Sequence, residues 1–548
     1  MITQTQTVSL LLGCFITMGP LQEFGHAQQN GPAPDTESDS SGDWLQWGGT
    51  SHRNNTPSGS RIPVKWDIET GQNINWSIKL GSQTYGTPVV SQGQIFVGTN
   101  NRHGYVERSA DLDAGCLICF KESDGSFLWQ HLSEKLATGR VHDIPEQGII
   151  SVPLVSGKRL WYVTNRGEVC CLDTDGFGDA ENDGPFQSEP VAENSEADVI
   201  WKFSMMEELG VRPHNAFTCS VTCSETAVFV VTGNGVGADH QEIQAAAPDF
   251  IALNRDTGEL LWKDSSVGEF TLHGSWSSPA YGVFGGQAQV LFPGGDGWLY
   301  SFEPAGNGAG ESKVLWKFDC NPKQSSAPGY RGNRCEFLTT PVIYKERIYI
   351  AIGTDPENGT GPGCLWCIDP TIKHDESDVS ATVAVDSHGK RLVRRFGQAV
   401  DPTAGEREMP NPDSAAVWKY TGFDFNGNGE IEKEETWKRT LAAASIKDDL
   451  LFAVNMEGYC VCLNAGTGVA QWSHDLWANS WHSQPLIVDG KVYLTDEDGE
   501  VEVFAAKSEK VKLGENHVDN SIYASAMVAN NILYITDRSR LYAIVSEQ

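Results

Sequence analysis

Eightfold recurrence of one strand-only unit, period-2 alternation inside each strand, and Gly, Asn and Asp at the turns predict an all-β chain. The architecture they predict is an eight-bladed β-propeller of four-stranded antiparallel blades. Each unit has an apolar strand near a Pro, a Val/Ile/Tyr-rich strand, and a third strand opened by a Gly. Gly-x-x-x-Trp commonly follows. A repeat of about 40 to 60 residues with no helical period is a blade, because one such sheet cannot bury both faces alone.

The plainest copy runs Gly86-Thr87-Pro88-Val89-Val90, Ile95-Phe96-Val97-Gly98 and Gly115 to Phe120, then Gly125 and Trp129. The second copy is Pro153, Trp161-Tyr162-Val163 and Trp201, and the third is Ser220, Val228-Phe229-Val230, Gly258 and Trp262. The fourth is Pro279, Val290-Leu291-Phe292 and Trp316, and the fifth Pro341, Ile348-Tyr349-Ile350 and Trp418. The sixth is Leu451-Phe452-Ala453, Gly468 and Trp472, and the seventh Pro485 and Val492-Tyr493-Leu494. The eighth, Ile532 to Ile535 and Leu541 to Ile544, ends before a fourth strand. Asn73-Ile74-Asn75-Trp76 is an outer strand with no inner strands before it, so it is expected to close the last blade and leave no exposed edge.

The terminal Trp residues are large enough to cover the gap to the next blade, each burying about 150 to 250 Å². Packing is therefore the expected role of Trp76, Trp129, Trp201, Trp262, Trp316, Trp418 and Trp472. Four residues after the Gly-like start of each third strand stand Cys119, Cys171, Ala252, Ser301, Cys367, Cys462, Val503 and Ala543. This is one slot for small buried side chains, and Cys acts there as a small hydrophobe. Cys116 and Cys119, three apart on a strand, point to opposite faces and cannot grip one ion together. Cys320 and Cys335 flank a loop rich in Pro, Gly and Arg, where either a disulfide or two thiols is compatible with the sequence.

At 548 residues the chain reads as one domain at 44–548, with insertions at 173–199, 371–414 and 424–435. Residues 1–27 carry a short apolar stretch and small residues near Ala27, the pattern of a secretory signal, and 28–43 form a polar tether. An exported protein, periplasmic or extracellular, is expected. A formal charge of −32 argues against nucleic acid and anionic lipid as partners, and no later segment is apolar long enough to span a bilayer.

Residues 424–435 match the twelve-residue calcium loop, with oxygen donors at Asp424, Asn426, Asn428, Glu430, Glu432 and Glu435 and the turn glycine at Gly429. Without a helical pattern on either side, this predicts a lone structural calcium site. Asp173 to Asp179 is a poorer match and reads as a solvated acidic loop.

Just ahead of each inner strand the chain crosses the rim of the central funnel. The positions there are Ser82/Gln83, Gln147/Gly148, His214/Asn215, His273/Gly274, Cys335/Glu336, Arg439/Thr440, Asn479/Ser480 and Asn520/Ser521. His214, Asn215, His273, Trp276, Arg439, Trp481 and His482 stand out as a candidate ligand site. The sequence holds no Gly-x-Ser-x-Gly elbow, His-Glu-x-x-His helix or phosphate-cradling loop before a helix, so no catalytic residues are assigned.

Phe250-Ile251-Ala252-Leu253 with Thr257-Gly258 and Trp262 resembles the pyrroloquinoline-quinone (PQQ)-like propeller repeat, and the resemblance covers 44–548. Trp44 to Gly49, His273 to Pro279 and Pro293 to Tyr300 are similar to exported quinoprotein-like propellers of planctomycete type. The resemblance implies one of two activities. One is a non-catalytic scaffold that binds polypeptide at its rim; apart from the resemblance, the funnel aromatics also suit recognition of an extracellular carbohydrate or small molecule. The other is a PQQ-dependent dehydrogenase with quinone, calcium, an Asp base and a disulfide of adjacent cysteines. Cys170-Cys171, the one adjacent pair, falls in the packing slot instead.

Overall fold

The computed structural model describes residues 42–546 except 110, 239, 241, 327–332, 360, 373–374 and 398. The leader and all but the end of the tether lie outside the described residues. Eight four-stranded antiparallel sheets follow one another in chain order, and Ile74–Lys79 pairs with Arg540–Ile544 to complete the eighth. The expected closure is therefore made by hydrogen bonds between the two ends of the ring. One short α-helix, Met205–Leu209, is present among the described residues.

The repeat's slot and its Trp are cross-strand partners. Cys119 faces Trp129, Cys171 faces Trp201, Ala252 faces Trp262, Ser301 faces Trp316, Cys367 faces Trp418, Cys462 faces Trp472 and Ala543 faces Trp76. A small residue is needed opposite because the indole leaves its own sheet for the next one. There its Nε1 donates to a backbone carbonyl just past the third strand: Trp76 to Glu122 (3.1 Å), Trp129 to Thr174 (2.9 Å), Trp201 to Arg255 (3.2 Å), Trp262 to Pro304 (2.9 Å), Trp418 to Ala465 (2.8 Å) and Trp472 to Lys507 (3.0 Å). Trp316 reaches the next blade through Gln289, which accepts its hydrogen bond at 2.8 Å and donates to Pro370 O at 3.2 Å. The motif's Gly serves the previous blade's ring: a Cβ on Gly258 would lie 2.5 Å from Trp201 and one on Gly468 2.7 Å from Trp418.

Blade seven has no such Trp, and Gly514 stands at its place opposite Val503. Residues 62–66 fill the gap, with Ile62 and Trp66 in the core of blades seven and eight. Asn516 holds them through Nδ2 to Val64 O (2.9 Å) and Oδ1 from Trp66 N (2.9 Å).

The segment from Gly42 to Asn55 crosses one end of the channel and touches the inner strand of every blade. Backbone hydrogen bonds join Trp44 to Val90, Leu45 to Val155, Ser51 to Tyr281, His52 to Ile343, Asn55 to Ile487 and Gly42 to Asn530. The Asn54 amide pairs with both backbone groups of Ile446 (2.8 Å each), and Arg53 donates to Ser220 and Val221 in blade three. Inner strands would otherwise present unpaired N–H and C=O groups to the channel, so this segment is both floor and edge protection.

The insertions are excursions from the blades. Ser377–Asp378 adds a parallel strand to blade four, Thr382–Val385 pairs with Arg407–Pro410, and Glu196 bridges to Gln130 on blade one. All twelve described cysteines are free and buried. Cys320 and Cys335 thus form no disulfide. Their loop is closed by Asn321, whose amide donates to Cys335 O (2.8 Å) and accepts from Cys335 N (2.9 Å), and by Asp319 paired with Lys323 and Arg334. Cys116 packs with blades eight and one, whereas Cys119 packs with blades one and two, the opposite faces expected of positions three apart.

Candidate functional site

In antiparallel blades, the link from outer strand to next inner strand and the loop between second and third strands emerge on the same face. These loops surround the open end of the channel, opposite the 42–55 floor. Between floor and mouth lies a cavity of about 300 Å³, lined by Trp47, Tyr85, Trp276 and Trp481 among its aromatics and by Asp355 and Glu357 as its carboxylates. No Lys or Arg lines it among the described residues.

Of the seven rim residues singled out in the sequence, Asn215, Trp276, Trp481 and His482 line this cavity. Trp481 donates to Glu497, Tyr85 stacks on Tyr523 at 5.1 Å, and Trp481 meets Tyr523 edge-on at 6.1 Å. Burial drives the His482 pKa down to about 4, so its ring is neutral at physiological pH. On the same mouth loop Trp477 is 87% exposed.

Arg439 stands outside the lining. It pairs with Glu457 (2.7 Å) and donates to Gly359 O (3.1 Å), which fixes the loop bearing Asp355 and Glu357. Its effect on the cavity runs through that loop.

His214 and His273 lie side by side, ring centroids 4.3 Å apart, and His240 approaches both, at 4.9 and 5.0 Å. His214 Nδ1 is 3.0 Å from Val236 O and His273 Nδ1 is 2.7 Å from Asp355 Oδ2. Both contacts set the tautomer and turn Nε2 toward the cluster. Glu357 completes it, with Oε2 3.7 Å from His273 Nε2 and Oε1 accepting from Asn215 at 3.2 Å. Behind stands buried Glu336, its pKa raised well above the carboxylate range by burial and then by Asp355. Burial works against charge on Asp355 too, yet hydrogen bonds from His273 and Glu336 leave its pKa below the usual value. Burial, followed by the neighbouring His273, lowers that of His214. His240, Glu336, Asp355 and Glu357 were not singled out: three sit on second-to-third-strand loops or beside them, and Glu336 carried no signal beyond its rim position.

The 424–435 loop is an exposed turn pinned by a bridge between Gly422 and Thr436. Asp424 accepts from the backbone N–H of Gly427 (2.7 Å), Asn428 (3.2 Å) and Gly429 (2.8 Å). Glu435 turns back to accept from Phe425 and Asn426 through Oε1 and from Glu432 N through Oε2. Asn426 and Asn428 donate to Glu432, and Glu430 N donates to Asn428 Oδ1. Gly429 is left-handed, φ +92°. These hydrogen bonds close the turn on itself, and among the described residues no three of its carboxylates bring oxygens within 4.8 Å of one another.

A family model described as outer membrane protein assembly factor BamB matches residues 408–544. A europium-containing methanol dehydrogenase is similar over 93% of this chain and 99% of its own, at TM-score 0.54 and 11% identity. A quinohemoprotein alcohol dehydrogenase from Pseudomonas putida HK5 is similar over 92% and 80%, at 0.53 and 11%. The chain is an eight-bladed β-propeller, of which residues 408–544 carry the family match. BamB from Moraxella catarrhalis covers 87% of this propeller and 98% of itself, at TM-score 0.49 and 13% identity. No curated protein matches the propeller in sequence. At such identities the structural likenesses concern fold alone.

Proposed function

We propose that this propeller is an exported, non-catalytic recognition protein that holds a polypeptide segment at the mouth of its central channel and carries a structural calcium ion in the 424–435 loop. The observation that carries the reading is the cavity, closed below by residues 42–55 and walled by Trp47, Tyr85, Trp276 and Trp481, with the exposed Trp477 on the same link as Trp481. Rigid aromatic walls bind side chains and chain segments with little loss of rotamer freedom, whatever their sequence. The match of 408–544 to a protein-assembly factor model points to the same class of ligand.

The lining also weighs against a quinone dehydrogenase. Pyrroloquinoline quinone bears three carboxylates, and the cavity offers Asp355 and Glu357 with no Lys or Arg among its described residues. Cys170 and Cys171 are thiols inside blade two, away from that lining. The residues present do not fit the cofactor.

A photo-crosslinking residue placed at Trp477 tests the proposal. A discrete polypeptide adduct, lost when Trp276→Ala and Trp481→Ala are added, is expected, together with quenching of tryptophan fluorescence by the isolated segment. A stoichiometric quinone absorbance band with dye reduction after reconstitution would overturn it; a saccharide or small molecule that blocks the adduct would replace polypeptide as the ligand.

A further inference from the structure

We propose that His214, His240, His273 and Glu357 bind a divalent transition metal, of which zinc is the best match, on the wall of the channel. One donor atom from each of the four lies within 4.8 Å of every other. Two donors on a tetrahedral zinc with bonds near 2.0 to 2.1 Å stand about 3.3 Å apart. His273 Nε2 and Glu357 Oε2, at 3.7 Å, need move only a few tenths of an ångström to reach that separation.

The surroundings are built for ligation rather than for hydrogen bonding among the four. His273 is 3% exposed, and its Nε2 has no hydrogen-bond partner although it points into the cluster. A buried imidazole nitrogen left so costs free energy unless something takes its lone pair. Its Nδ1 rests on Asp355 and that of His214 on Val236 O, the carboxylate and carbonyl supports that orient histidine ligands on metals. Asn215 occupies one oxygen of Glu357 and leaves the other facing His273. Trp276 donates to His214 O at 3.0 Å and sets its ring edge-on against His273, 4.9 Å away, so two of the three imidazoles are held before any ion arrives.

Three nitrogens and one carboxylate select zinc, cobalt, nickel or copper over calcium and magnesium, which take oxygen ligands. The site is therefore chemically distinct from the 424–435 loop. The donors come from the link into blade three, the second-to-third-strand loop of blade three, the link into blade four and the corresponding loop of blade five. A bound ion would cross-link three neighbouring blades at the mouth.

Cobalt(II) titration of chelator-treated protein, followed by zinc displacement and elemental analysis, tests the site. One equivalent per chain with visible bands of tetrahedral cobalt is expected, and zinc should abolish them. His240→Ala alters an exposed loop residue and should leave the melting temperature of the metal-free protein unchanged while weakening zinc by at least about 100-fold. Asp355→Asn replaces the carboxylate that supports His273 and accepts from Glu336 and from the backbone N–H of Glu357, and should weaken zinc binding about 10- to 100-fold. Absence of stoichiometric uptake, or equal zinc affinity in wild type and His240→Ala, would overturn the proposal. Trp481→Ala should leave metal binding intact and Asp424→Ala should too, so failure here is separable from failure of the recognition or calcium readings.

Discussion

Arg53 Nη2 lies 2.7 Å from the carbonyl oxygen of Ser220, a residue 167 positions away in the chain and at the root of blade three. The same guanidinium donates to Val221 O (2.9 Å), Pro279 O (2.9 Å) and Trp47 O (3.2 Å). It is 1% exposed, and burial lowers its pKa to about 10, which still leaves it charged at neutral pH. Backbone carbonyls of two blades and the floor segment thus solvate one cation at the centre of the ring.

Arg53→Met should therefore destabilise the propeller by at least about 3 kcal/mol, because several buried carbonyls lose their donor together. Arg53→Lys should recover only part of this, since three ammonium protons cannot reproduce the planar five-donor fork. Urea unfolding followed by tryptophan fluorescence checks both. Equal midpoints for wild type and Arg53→Met would remove the floor segment from the stabilising core.

Gly258 and Gly157 separate backbone strain from ring docking. Both are left-handed, φ +75° and +62°, but a Cβ at Gly258 strikes the Trp201 ring at 2.5 Å while one at Gly157 meets nothing within 4 Å. Gly157→Ala should cost only the left-handed penalty, about 1 to 2 kcal/mol. Gly258→Ala should cost about 2 kcal/mol more, as overpacking against an indole held at Arg255 O adds to that penalty. Thermal melts of the two variants decide it.

How far the fold could be read from residues depended on repetition. The pairing of Trp129 with Cys119, or Trp262 with Ala252, recurs at fixed spacing, so strand register and blade order were legible, as was the closing strand at Trp76. The floor was not: Gly42 to Asn55 has no strand period, and its contacts are mostly backbone bonds to residues hundreds of positions away. Gly514, standing where a Trp was due, gave no hint that Ile62 and Trp66 replace it. At the mouth, counting back from inner strands found His214 and His273 but passed over His240 and Glu357, whose loops vary in length and share no register with the repeat. The Cys320/Cys335 alternative resolved to thiols because Asn321 already ties that loop with paired hydrogen bonds.

In protein first stripped of transition metal, calcium should raise the melting temperature and chelator lower it through the 424–435 loop alone. At about 100 times the dissociation constant, a site absent from the unfolded chain adds about 2.7 kcal/mol. Asp424→Ala with Glu435→Ala removes the acceptor of three turn N–H groups and the carboxylate whose two oxygens accept from Phe425 and Glu432 N–H at the loop's end. The double variant should melt at one temperature with calcium or chelator. A calcium response as large as that of wild type would place the ion elsewhere.

His131 supplies a pH dependence remote from either metal proposal. It lies on the outer strand of blade one with Nδ1 against the Tyr162 hydroxyl, and burial lowers its pKa to about 4, with Glu168 and Lys202 as opposing smaller influences. The ordinary histidine value is about 6.5, so protons bind the unfolded chain more readily than the native one. Stability from this group is complete above pH of about 6.5 and is lost as pH falls from there toward 4. Allowing for its partial exposure, the loss between pH 7 and 5 should be roughly 1 to 2 kcal/mol. His131→Gln keeps a hydrogen-bonding partner for Tyr162 but cannot titrate. The gap in urea midpoint between wild type and His131→Gln should therefore shift toward the variant as pH falls across that window. A gap independent of pH would mean that the native ring takes up its proton as easily as the unfolded one.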